Sequence, residues 1–89
     1  MRIKDNFVLQ QIVDEYIVVP VAEESERLHG IIKLNETGAF LWDLLRTTEV
    51  SVSDLEDALA RKYNIGLDIA QKDVEAFINH IRQLGCVED

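Results

Sequence analysis

Gly30-Ile31-Ile32-Lys33-Leu34-Asn35-Glu36-Thr37-Gly38-Ala39-Phe40-Leu41-Trp42-Asp43-Leu44-Leu45 is the stretch in which the chain changes period. Gly30 to Leu34 is short and aliphatic and reads as a strand. Asn35 is a residue type that opens helices, because its side-chain oxygen can accept from N–H groups the first turn leaves unpaired. Beyond it, Gly38, Leu41, Trp42 and Leu45 recur at helical spacing and share one face. Phe40 and Leu44 widen that face, which predicts a helix covered on more than one side. The switch at Asn35 divides the chain into a β part before it and an α part after it.

Upstream, Phe7-Val8-Leu9 and Ile12-Val13 flank the polar pair Gln10-Gln11, and Asp14-Glu15 supplies a turn. Tyr16 to Val21 is β-branched and aromatic, the composition of a strand. Pro20 has no N–H for a ladder, which predicts an edge position or a bulge there. Glu23 to His29 reads as a charged loop. Gly30 to Leu34 then completes a three-stranded antiparallel meander.

Downstream, Thr47 to Val52 reads as a linker. Ser53, with Glu56 three residues on, forms the pattern of a capping box. Leu55, Ala58, Leu59 and Tyr63 give the second helix its stripe, and Gly66 is expected to stop it in the left-handed conformation. Asp68 is placed to cap a third helix, whose stripe is Ala70, Val74, Phe77, Ile78, Ile81 and Leu84. Gly85 ends it, and Cys86-Val87 reads as a short extended segment. Strands followed by helices imply an α+β fold. A three-stranded antiparallel sheet followed by three helices is winged helix-turn-helix-like. At 89 residues the chain is expected to be a single domain.

Composition excludes several function classes. Net charge is -8, and the nine Lys and Arg residues are scattered, with only Arg61-Lys62 adjacent. Nucleic-acid binding needs clustered cations to neutralise phosphates, so nucleic acid and anionic membrane are poor partners, and a basic or neutral peptide is a better one. The longest apolar run, Tyr16 to Ala22, is too short to span a bilayer and contains Pro20. One cysteine, Cys86, closes no internal disulfide. A cytoplasmic protein is the expectation.

No pattern for catalysis is present. There is no Gly-rich phosphate loop and no Gly-x-Ser-x-Gly elbow. His29 and His80 are far apart in sequence, and neither has an evident orienting partner. Cys86 and His80 lack the further ligands zinc requires, and the seventeen acids form no calcium-loop spacing. No cofactor and no enzymatic activity are expected. Trp42 lies on a helical stripe and reads as core. The informative element is Gly30 to Leu34. It holds no proline and one charge, Lys33; if it is an edge, its backbone groups are a template for an incoming extended peptide, the alternative being that a loop, a helix or a second protomer covers it.

Residues 30–45 also resemble the signature of the PqqD family: a strand ending in Leu34-Asn35, a small-residue helix start, then Leu41-Trp42. Asp54-Leu55, Leu59 and Tyr63-Asn64-Ile65 are similar to the family's second helix. Asp73 to Ile78, with Leu84-Gly85-Cys86-Val87, resembles its third helix and closing pair. The likeness covers residues 7 to 88. It implies a peptide chaperone, the recognition element of a pathway that modifies ribosomally made peptides. Such a chaperone binds the leader of a precursor peptide by strand addition and presents it to a modifying enzyme, such as a radical S-adenosylmethionine (SAM) enzyme, in pyrroloquinoline quinone synthesis or another pathway. Carried over, the contact surface is Ile31, Ile32, Lys33 and Leu34 with Val74, Phe77, Ile78 and Ile81. The alternatives are a winged-helix DNA-binding protein and a self-associating regulatory protein, a homodimer paired through its free edge.

Overall fold

The computed structural model describes residues 1–4, 7–20 and 32–88. The charged segment Glu23 to His29, with Gly30 and Ile31, lies outside the described residues. The elements are β1 (Arg2–Ile3), β2 (Phe7–Ile12), β3 (Glu15–Pro20), β4 (Ile32–Leu34), α1 (Glu36–Thr47), α2 (Val52–Tyr63), α3 (Leu67–Gln83) and β5 (Val87–Glu88). The α+β, winged helix-turn-helix-like order read from the sequence is the order observed.

The β-branched run of β3 sits in the middle of an antiparallel sheet of order β2-β3-β4. Phe7 faces Pro20 and Ile12 faces Glu15 across one ladder, and Tyr16 faces Leu34 across the other. Pro20 therefore marks neither an edge strand nor a bulge. It ends a central strand, two residues past Val18, where the described pairing with β4 stops. The hairpin turn is Val13-Asp14 rather than Asp14-Glu15, and Glu15 is paired with Ile12. Val13 takes φ 57° and is 84% exposed. A β-branched side chain in the left-handed region is strained by its Cβ.

The helix ends follow from local hydrogen bonding. Asn35 caps α1, its Oδ1 accepting from the Gly38 N–H at 2.7 Å and from the Thr37 hydroxyl at 3.1 Å. A Cβ on Gly38 would come within 2.9 Å of that oxygen, so glycine leaves the room the cap needs. α2 is capped by Ser51, not Ser53. The Asp54 N–H donates to Ser51 Oγ at 3.1 Å, and the Ser51 N–H donates to Asp54 Oδ2 at 3.2 Å. Both serines have an acid three residues on. Only Ser51 puts Val50 just before the cap and Leu55 at the fourth helical position, both packed in the core. That apolar pair is the staple that selects the earlier start. The linker thus shortens to Thr48–Ser51.

Asn64, not Gly66, takes the left-handed conformation that ends α2 (φ 52°, ψ 50°). Asn tolerates it because its short polar side chain bonds locally. Gly66 is instead the N-cap of α3, and Asp68 falls inside the first turn rather than at the cap. α3 closes as a Schellman motif. Gly85 has φ 75°, its N–H donates to the Arg82 carbonyl at 3.0 Å, and the Cys86 N–H donates to the Ile81 carbonyl at 3.0 Å. Cys86 is fully buried, and its carbonyl accepts from the Lys4 N–H at 2.9 Å. That bond starts the β1–β5 ladder, which ties the two ends of the chain together.

The core lies between one face of the sheet and the three helices. Phe7 and Val18 from the sheet meet Leu41, Trp42 and Leu45 of α1, Leu55 and Leu59 of α2, and the α3 stripe. Trp42 packs edge-to-face on Phe7, with ring centroids 6.2 Å apart at 82°. Its Nε1–H has no hydrogen-bond partner among the described residues. Packing alone holds it. On the far side of α1, Phe40 stacks edge-to-face on Tyr63 at 6.0 Å, and the Lys62 ammonium lies 5.9 Å from the Phe40 ring centroid. Burial pushes the Tyr63 phenol above its ordinary value of 10.0, and the charges of Glu36 and Tyr16 add to that shift.

Three outcomes follow from these local contacts. Replacing Asn35 with Ala removes a cap and lowers stability by about 1 kcal/mol, seen as a melting point roughly 4–8 °C lower by circular dichroism. Val13→Asn relieves the strained turn and raises the urea midpoint, by about 1 kcal/mol of stability. Because the folded Tyr63 pKa lies above the unfolded one, its contribution is complete below pH 10 and is lost as pH rises through the folded value. Urea melts across that window fall less steeply with pH for Tyr63→Phe.

Candidate functional site

β4 has one neighbour in the described sheet, β3. Its other side opens on a groove of about 370 Å³. Lys33, Leu34 and Asn35 form one bank, and Thr37, Gly38 and Leu41 of α1 form the end and floor. Asp73, Ala76, Phe77 and His80 of α3 form the opposite bank. The Asn35 cap sets this geometry. It ends β4 and starts α1 within one residue, so the strand edge and the first turn of α1 meet at the groove.

The strand alternates. Ile32 is buried in the core, Lys33 is exposed, and Leu34 is half-buried. The Lys33 ammonium reaches Glu15 at 3.8 Å on the face opposite the core, and both side chains are largely exposed. In an antiparallel ladder, neighbouring residues alternate in which side their N–H and C=O face. With three described residues in β4, either Lys33 or the pair Ile32 and Leu34 turns its backbone groups to the open side.

The structure distributes the residues anticipated from sequence unevenly. Lys33, Leu34 and Phe77 come together at the groove, with Phe77 showing 9% of its surface. Ile32 is beneath the strand, 6% exposed. Val74 and Ile81 are fully buried and present no surface to the groove. Ile78 turns the other way, into a separate depression of about 430 Å³ between α2 and α3 that also includes Val52, Glu56 and Glu75. Ile31 lies outside the described residues. Sequence reasoning missed Asp73, Ala76 and His80, which form the groove bank of α3. The signal was available, because they lie one or two helical steps to the side of the Phe77 stripe. A stripe marks the core-facing side of a helix, and a groove is walled by the rim beside it.

Among the described residues, no group of three His, Cys, Asp or Glu side chains is placed to hold a metal ion. His80 sits on the groove bank and Cys86 is buried in the core, so the two do not share a site. No helix among the described residues is long and apolar enough to cross a membrane.

This arrangement can hold an extended peptide. Among the described residues no strand pairs with the open side of β4, so its backbone groups there could continue the ladder, and alternate side chains of an added strand would point toward Leu34 and Phe77.

Comparison with known proteins agrees with this fold. The chain is similar to a solved structure described as TbiB1 in complex with the TbiA(beta) leader peptide, with a TM-score of 0.76 and 20% sequence identity over 99% of this chain and 95% of that one. No curated protein matches the chain. The family model for coenzyme PQQ synthesis protein D matches residues 15–87, from the start of β3 into β5, and the chain belongs to this PqqD family.

Proposed function

We propose that this protein is a non-catalytic peptide chaperone. It binds the leader of a ribosomally made precursor peptide as an added strand on β4 and presents it to a modifying enzyme, such as a radical SAM enzyme. The observation that carries this reading is the open side of β4 facing the groove walled by α3. Membership in the PqqD family supports it. So does the shared fold with TbiB1, a protein solved with a leader peptide bound. The acidic balance of the chain, net charge -8, favours a leader that carries basic residues. The pathway, pyrroloquinoline quinone synthesis or another, is set by the precursor that fits.

The test is a titration of isotopically labelled protein with synthetic leader segments of candidate precursor peptides. Amide signals of Ile32 to Leu34 and of Asp73 to His80 are expected to move together. Lys33→Pro weakens binding about fivefold if the Lys33 N–H faces the peptide, the worth of one hydrogen bond of about 1 kcal/mol. Shifts confined to other surfaces would overturn the assignment.

A further inference from the structure

The two banks of the groove carry different charge. Lys33, the one lysine on the strand bank, directs its ammonium to Glu15 on the far face of the sheet, 3.8 Å away. On the helix bank, Asp73 is the only acid lining the groove among the described residues. It is exposed and makes no ion pair among the described residues. The floor beside it is apolar, made by Leu34, Leu41 and Phe77. An incoming peptide thus meets an uncompensated carboxylate next to an apolar surface.

Spacing links the two. Asp73 and Phe77 are one helical turn apart, roughly 6 Å along the helix axis. Alternate side chains on one face of an extended strand are about 6.6 Å apart. The groove follows α3 from Asp73 to His80, so a strand lying in it can place one side chain at the carboxylate and the next same-face side chain on Phe77.

Resting on the peptide-binding reading above, we propose that Asp73 makes the groove selective for leaders that carry a lysine or arginine two positions from an apolar residue. The cation pairs with Asp73, and the apolar side chain covers Phe77 and Leu34. Charge acts here on selection more than on strength, because a partly exposed ion pair is worth only a few-fold in affinity.

The test uses a displayed library of random twelve-residue peptides, selected in parallel on the whole wild-type chain and on Asp73→Lys. Asp73 is exposed on a helix, and circular dichroism is used to check that the variant folds. Wild-type protein is expected to enrich Lys or Arg at two positions from Leu, Ile, Val or Phe. Asp73→Lys is expected to enrich Asp or Glu at that same position. A synthetic peptide from the wild-type selection should bind Asp73→Asn about three- to fivefold more weakly, with the difference shrinking as salt rises. Identical charge preferences for both proteins, with bound peptides still shifting β4 and α3 amides, would overturn the role of Asp73 and leave peptide binding standing. No enrichment at all, or enriched peptides that shift other surfaces, would overturn the peptide-binding reading and this inference with it.

Discussion

The hydrogen bond from the Gly38 N–H to Asn35 Oδ1, 2.7 Å long, is the contact on which the rest of the arrangement depends. It lets the chain leave a strand and enter a helix within one residue. Leu34 and Gly38 stay close, since a Cβ built on Gly38 would lie 3.5 Å from the Leu34 Cβ. The strand edge is therefore not a free ribbon. Its lower end is fixed to the first turn of α1, and α1 is fixed to the core by Leu41, Trp42 and Leu45. An edge strand held this way keeps its backbone groups oriented before any partner arrives. Pre-ordering lowers the entropy lost on association.

The other bank has its own anchor. α3 carries a fully buried stripe on one side and the groove residues on the adjoining side. The Schellman turn at Gly85 stops it, and the bond from Lys4 to the Cys86 carbonyl joins its end to the start of the chain. The distance between the banks is then set from two directions. Asn35 holds the strand, and the β1–β5 ladder holds the end of the helix.

The main divisions of this fold were legible in the sequence. The change from strand to helix at Asn35, the buried stripe of α3 and the stop at Gly85 are each written in local chemistry. Other features needed tertiary information. Ser51 and Ser53 both offer a capping pattern, and the choice between them lies in whether Val50 and Leu55 can pack together in the core. Asn64 and Gly66 are both residues that can end a helix, and the left-handed turn falls on the first of them. β1 has two residues, too few for periodicity, and although Cys86-Val87 reads as extended, nothing local assigns β5 its partner at the other end of the chain. At the site, the family resemblance carried the whole stripe of the third helix over as contact surface, and so included Val74 and Ile81, which are sealed in the core. The groove bank of Asp73, Ala76 and His80 is polar or small and carries no periodic apolar signal.

The size of the strand edge limits how it can be used. Three described residues of β4 can add only two to four ladder bonds, each worth about 0.5–1.5 kcal/mol. Association itself costs an estimated 4–15 kcal/mol in lost translational and rotational freedom. Backbone pairing alone therefore cannot hold a partner, and the balance has to come from side-chain contacts in the groove, where Leu34 is half-buried and Phe77 shows 9% of its surface. This argues against a homodimer joined through two copies of β4. Pairing two such edges would add the same few bonds and bring a second α3 toward the place where the peptide's side chains would fit. A single extended peptide, narrow enough to lie between the strand and the helix, can use the ladder and the apolar floor together. Under the proposed function, affinity and selectivity would rest on different groups: the ladder and floor would hold any strand of suitable shape, and the side chains on the α3 bank would discriminate among sequences.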